Sequence, residues 1–244
     1  MTNAVLPIPW LDDDDEQTPL PDPQTALVEP NGLLAIGGSL SPQRLEAAYR
    51  AGIFPWFSPG EPLLWWSPDP RAIIRPNSLH ISRSLRRTLK RHDFTLSLDQ
   101  SFDAVVEACA APRADQPGTW ITTEMKAAYS RLHVIGLAHS IEVWRAGELI
   151  GGLYGVSIGR AFFGESMFSR ATNGSKIAMA GLCAQLRAWE FDFLDCQMPT
   201  EHLMRMGATC VPRGQFLLAL AASQRHPTHL GPWQFTATNR LHDQ

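Results

Sequence analysis

Cysteine is scarce in this 244-residue chain, and the four present, Cys109, Cys183, Cys196 and Cys210, stand far apart with no C-x-x-C pair and no matching Cys/His spacing. That pattern argues against a zinc site and offers no framework for a disulfide-stapled secreted domain, so reduced thiols in a cytoplasmic protein are expected. Long apolar runs are missing too. No stretch approaches the ~20 residues a membrane helix needs, and residues 1–24 have neither a basic start nor an apolar segment of the secretory kind. Motifs for ATP or a metal are absent. What is present is a hydrophobic content of 44%, enough for the core of one large or two modest domains.

Charge is low in sum and uneven in place. The formal net charge of −3 divides into −8 over residues 1–70, +7 over residues 71–91, which hold no acid, and −2 over the rest. A compact basic block in a mildly acidic protein suits a local docking site for phosphates better than a general nucleic-acid coat. A solvated helix face is the other reading of the same block.

Six prolines and the acidic run Asp12 to Glu16 mark the first 30 residues as an irregular lead. After it, Gly32 to Gly37 reads as a short strand, with Ser41 as N-cap, Pro42 at the first helical position and Gly52 closing the helix. Residues 53–71 are dense in proline and aromatic rings and read as an ordered loop packed on a domain interface. Ser82 caps a basic helix over 83–91. Its Arg83, Arg87 and Lys90 fall on one face, while Leu85 and Leu89 face inward. Helices are expected near 101–111 and 123–135. A three-stranded meander then runs over 139–144, 149–156 and 161–168, turning first at Ala146-Gly147. A helix over 175–189, a strand over 193–197, a short helix over 200–206, an edge at 210–212 and a last helix over 215–223 complete an α/β chain of the mixed-sheet, α+β kind, with helices on both faces.

Within that plan, Phe191-Asp-Phe-Leu-Asp-Cys-Gln197 sets a carboxylate and an amide two residues apart in an aromatic run. Period two places Asp195 and Gln197 on one strand face, and burying both costs several kcal/mol unless they meet partners or a ligand. They are either a site or a satisfied cap on a neighbouring loop. Glu165, the lone acid in Gly164-Glu-Ser-Met-Phe168, needs a partner for the same reason.

Eight blocks resemble the leucyl/phenylalanyl-tRNA-protein transferase family in order and spacing over about residues 28–212: Glu29 to Gly38, Gly52 to Phe57, Trp65 to Arg71, Leu79 to Ser84, Gly118 to Thr122, His139 to Trp144, Gly164 to Ser169 and Asp195-Cys-Gln197. The resemblance implies a small N-terminal domain, residues 1–69, followed by a domain over 70–244 with the fold of GCN5-related acetyltransferases. It implies transfer of Leu or Phe, and less readily Met, from aminoacyl-tRNA to the N-terminal Arg or Lys of an acceptor protein, which marks that protein for degradation. No metal and no cofactor are implied, nor any membrane; the setting is cytoplasmic and a monomer is expected.

The resemblance also distributes roles. Gln197 accepts a hydrogen bond from the attacking amine, and Asp195 polarises or supports that amide, stabilises developing positive charge and serves as the formal proton sink, directly or by relay. Glu165 meets either the amine or the acceptor's cationic residue. Trp56, Phe162 and Met167 line the Leu or Phe pocket, with Trp56 alternatively stacking on the terminal adenosine, and Arg83, Arg87 and Lys90 meet tRNA phosphates. One departure stands out: the family pattern has Asn three residues after the Gln, where this chain has Thr200. Among rival readings, a CoA-dependent acetyltransferase wants a Q/R-x-x-G-x-G turn that Arg170 to Ser175 matches poorly, and a tRNA-binding protein without catalysis leaves Asp195, Gln197 and Glu165 unexplained. A Cys196/His202 thiol pair requires Cys196 to face the Asp195 side, against the strand period.

Overall fold

A computed structural model describes residues 8–12, 18–91, 93–112 and 119–235. Asp13 to Glu16 of the acidic run and Gly118 of the Gly118 to Thr122 block lie outside them.

The first sheet is built from β1 (Trp10–Leu11), β2 (Leu33–Gly37), β3 (Phe54–Pro55) and β4 (Leu64–Trp66), in the order β1-β2-β4-β3. Helix α1 (Pro42–Arg50) lies between β2 and β3 and starts where the sequence says it should: Ser41 accepts the Arg44 amide hydrogen at 3.1 Å with Pro42 in the first turn. Gly52, at φ +75°, ends the excursion. A Cβ there would lie 2.7 Å from Leu217 and 2.9 Å from Phe216, so only glycine fits both the turn and the neighbours.

The second sheet takes β5 (Arg71–Ile74), β6 (Thr95–Leu98), β7 (Ala138–Arg145), β8 (Glu148–Ile158), β9 (Ala161–Ser169), β10 (Phe193–Asp195) and β11 (Thr209–Val211), in the order β11-β5-β10-β9-β8-β7-β6. Only β9 and β10 pair in parallel; the other neighbours are antiparallel. Helices α3 (Phe102–Ala110) and α4 (Thr123–Val134) cover one face, and α2 (Arg83–Leu89) and α5 (Gly174–Ala188) the other, each with its own buried cluster. Helices α6 (Glu201–Arg205) and α7 (Arg213–Ser223) flank β11. The mixed α/β class with helices on both faces is therefore as expected. Ala146 and Gly147 turn the β7–β8 hairpin with φ +51° and +81°, the left-handed pair such a turn requires.

Three local expectations differ. Residues 53–71 contain β3, β4 and the start of β5 instead of a loop, because pairing with β2 and β10 supplies an order that the prolines conceal in the sequence. β6 is an edge strand of four residues, short enough to leave little pattern. The strand expected over 193–197 stops at Asp195, and Gln197 adopts φ +57°. Its amide hydrogen goes to the Asp195 carboxylate at 3.0 Å, so a side-chain turn replaces the next step of the strand.

Candidate active site

Asp195 is fully buried, and what satisfies it is Arg71. The guanidinium meets both carboxylate oxygens, Nε to Oδ1 at 2.8 Å and Nη2 to Oδ2 at 2.7 Å, and neither side chain has any exposed surface. Oδ1 also accepts the Gln197 amide hydrogen. With both oxygens occupied and no exposed surface, Asp195 has no direct path to a substrate. It holds Gln197 in a left-handed turn that a long side chain adopts only when its surroundings impose it.

Glu165 reaches the same place by a different device. β8 and β9 pair Gly155 with Gly164 and then Tyr154 with Ser166, so Glu165 is the extra residue of a β-bulge. Bulges re-aim a side chain and break the alternation of faces. Phe162 therefore shares a buried cluster with Met167, five residues on, while Phe163 and Phe168 pack on the other side. Close approach at the bulge demands Gly155, where a Cβ would fall 2.0 Å from the Phe163 carbonyl oxygen. Glu165 Oε2 accepts from the Tyr129 hydroxyl at 2.7 Å, Tyr129 lies 2.6 Å from the Tyr49 hydroxyl, and the Gln197 side-chain amide donates to Glu165 Oε1 at 3.4 Å. Burial pushes the Glu165 carboxyl up to about 7, with the Asp195 charge adding to the rise, while the Tyr129 and Tyr49 hydroxyls and Arg71 oppose it. The Tyr49 and Tyr129 phenols are themselves raised well above their ordinary value by burial and by the Glu165 charge.

Two cavities meet at this point. One, of about 160 Å³, has Phe54, Pro55, Trp56 and Trp120 along one side; the other, of about 110 Å³, has Leu153, Met167, Met179 and Leu194. Glu165, Cys196, Gln197 and Leu203 line both. The structure thus brings together Trp56, Met167, Glu165 and Gln197. Phe162 is a correction: it lines neither cavity, is 1% exposed, and packs 5.6 Å from the Trp233 ring in the core. Thr200 lines the first cavity, but its hydroxyl oxygen caps α6 by accepting the Leu203 amide hydrogen at 3.2 Å. Burial and the Asp195 charge drive the Cys196 thiol well above its usual range, which removes it as a nucleophile.

The basic block stands apart from the cavities. In α2, Ser82 caps at 3.2 Å to Leu85, Leu85 and Leu89 are buried, and Arg83, Arg86, Arg87 and Lys90 are exposed. Arg86 joins the three cations the helical spacing selects. Thr88 fixes the helix to the start of α5 through the Asn173 side chain at 3.0 Å.

Arg71, Tyr129, Tyr49 and Trp120 were not singled out from the sequence. Arg71 carried a weak signal, a basic residue closing the Pro-rich segment and opening an apolar strand, but nothing local announces a partner 124 residues away. Among the described residues, no group of three His, Cys, Asp or Glu could hold a metal ion, and no helix is long and apolar enough to cross a membrane.

Known proteins match this chain over most of its length. The family described as leucyl/phenylalanyl-tRNA protein transferase matches residues 73–221, and the family of its N-terminal domain matches residues 38–69. A leucyl/phenylalanyl-tRNA–protein transferase of Nitrosomonas europaea is 59% identical over 91% of this chain and 94% of its own length; one of Alkalilimnicola ehrlichii is 56% identical over 93% and 88%. Among solved structures, a GCN5-related N-acetyltransferase from Kribbella flavida aligns with a TM-score of 0.32 at 11% identity, over 68% of this chain and 59% of that one.

Proposed function

The chain belongs to the leucyl/phenylalanyl-tRNA protein transferase family and is a transferase, and from that premise we propose that it moves Leu or Phe, and less readily Met, from aminoacyl-tRNA to the N-terminal Arg or Lys of an acceptor protein, marking it for degradation in the cytoplasm. The observation that carries this reading is the shared wall of the two cavities. A donor whose side chain fills the apolar cavity at Met167 and whose terminal adenosine stacks on Trp56 has its ester carbonyl at Glu165 and Gln197. Met167 and Met179 give the second cavity a soft lining that accepts a branched or an aromatic group. Residues 1–69 and 70–244 act in this reading as two domains, the first supplying Phe54, Pro55 and Trp56 and the second Trp120 and the rest of the donor site. The proposal takes the protein to act as a monomer.

The chemistry asks little of the protein. The ester is already activated, and an α-amine with a solution pKa of roughly 7.7 to 8.0 is partly neutral at working pH. The amine nitrogen bonds to the ester carbonyl carbon, the bond from that carbon to the ribose oxygen breaks, the nitrogen loses a proton and the ribose oxygen gains one. With Gln197 Nε2 turned to Glu165, the amide oxygen is the acceptor that orients the amine. Glu165 takes the proton, since its carboxyl, raised to about 7, matches a base working near neutrality. Asp195 acts through Gln197.

The test is transfer of labelled Leu from Leu-tRNA to an Arg-starting peptide. Gln197→Ala should lower kcat by about 100-fold at unchanged donor KM, the scale of one lost preorganised contact. Near wild-type turnover on folded protein would overturn the assignment.

A further inference from the structure

Arg71 is fully buried, and the reaction just described does not use it. Its three contacts do not lie together. Nε and Nη2 hold Asp195 at the end of β10, whereas Nη1 donates to the Gly52 carbonyl at 3.0 Å, just before β3. The flat guanidinium is also sandwiched, 4.9 Å from the Phe54 ring centre in β3 and 4.4 Å from that of Phe216 in α7. Phe54 lines the first cavity two residues before Trp56. One side chain therefore grips the turn that presents Gln197 and the strand that presents Trp56.

The chemistry of the grip matters. A planar fork with five donors can satisfy a carboxylate with two parallel bonds and a carbonyl with a third while its faces lie against rings; an ammonium can do none of this at once. A pair this deeply buried is a weak stabiliser compared with apolar side chains of similar size, because desolvation offsets most of the attraction. Fold stability alone is a poor reason for an Arg–Asp pair at this position.

We propose that Arg71 is a positioning residue that fixes the donor-binding strand and the Gln197 turn relative to one another, setting the ester carbonyl against the attacking amine. This rests on the transferase reading above. Misplacement of reacting groups by about 1 Å is enough to cost on the order of 100-fold in rate, and the one guanidinium of Arg71 hydrogen-bonds to both segments at once.

Arg71→Lys separates the possibilities. The variant keeps a positive charge beside Asp195 but loses the fork, the Gly52 contact and the ring sandwich. The expected result is a folded protein whose kcat falls by about 30-fold or more and whose donor KM rises several-fold, because Trp56 and Gln197 are both displaced. Asp195→Asn removes the charge that Arg71 holds but leaves the guanidinium and its Gly52 contact in place, and should lower kcat by more than it raises donor KM. A second variant, Arg71→Met with Asp195→Leu, replaces the pair by apolar groups; its unfolding midpoint should return close to wild type while kcat stays low. Recovery of kcat together with stability in that double variant would assign the pair to stability alone and overturn the proposal. So would a normal kcat and donor KM in Arg71→Lys, or failure of both variants to fold. Normal turnover in Gln197→Ala sinks the transferase geometry itself, whereas an impaired Gln197→Ala beside a normal Arg71→Lys sinks only this inference.

Discussion

Tyr129 donates its phenolic hydrogen to Glu165 at 2.7 Å, from the inner side of the bulge that turns Glu165 toward the cleft. Behind it, the Tyr49 hydroxyl lies 2.6 Å from that of Tyr129, so the carboxylate rests on a chain of two phenols that have no exposed surface. The chain lowers a carboxyl that burial raises, and the balance leaves Glu165 at about 7.

With Glu165 as the base, kcat/KM should climb through about pH 7. The acceptor amine titrates nearby and contributes its own inflection, so the informative quantity is the difference between two proteins given the same substrates. Tyr129→Phe removes a hydrogen bond that favours the ionised carboxylate, and its profile should lie at higher pH than that of wild type. Coincident profiles would show that Glu165 does not carry the proton.

The same group should leave a mark on stability. Its folded pKa lies above the ordinary 4.5, so the fold favours the protonated form. That contribution is complete below the unfolded value and is lost as pH rises through about 7. Glu165→Gln is neutral at every pH and should therefore gain unfolding stability over wild type at pH 8 but not at pH 4, read by urea denaturation at each. A pH-independent difference would contradict the shift.

Reversing charge at Arg83, Arg87 and Lys90 to Glu should leave the fold intact, since all three side chains are exposed. Binding of tRNA should weaken, and the slope of log K against log salt should flatten by roughly 2 to 3, at ~0.7 to 0.9 per phosphate contact. An unchanged slope would place the tRNA on another face and leave α2 as a solvated helix.

Trp56 is 38% exposed and meets Trp66 edge to face at 5.6 Å. Trp56→Ala should cost on the order of 1 to 3 kcal/mol in use of the donor, seen as a raised donor KM or a reduced kcat/KM. A lowered unfolding midpoint with unaltered kinetics would make the ring a packing element.

Local chemistry made much of the framework legible. Ser41 with Pro42, Ser82, and Ala146-Gly147 each act over a few residues, and a cap or a left-handed turn needs nothing from the rest of the chain. The exposed cationic face of α2 follows from helical spacing alone, as does the inward turn of Leu85 and Leu89. The family motifs extended this to the residues of the cleft, because Trp56, Met167, Glu165 and Gln197 do converge.

What the tertiary structure decided is how those residues are held. The sequence presents Asp195 and Gln197 as strand neighbours; β5, inserted between β11 and β10, brings Arg71 onto Asp195 and turns Gln197 out of the strand. Simple alternation along β9 would put Phe162 and Met167 on opposite faces, and the bulge at Glu165 puts them on one, with Phe162 deep in the core. A buried charge or hydroxyl is satisfied by whichever partner the sheet order delivers. Capping and periodicity are properties of neighbouring residues, whereas sheet order depends on the whole chain, so the partners of Asp195 and Glu165 had to await the fold.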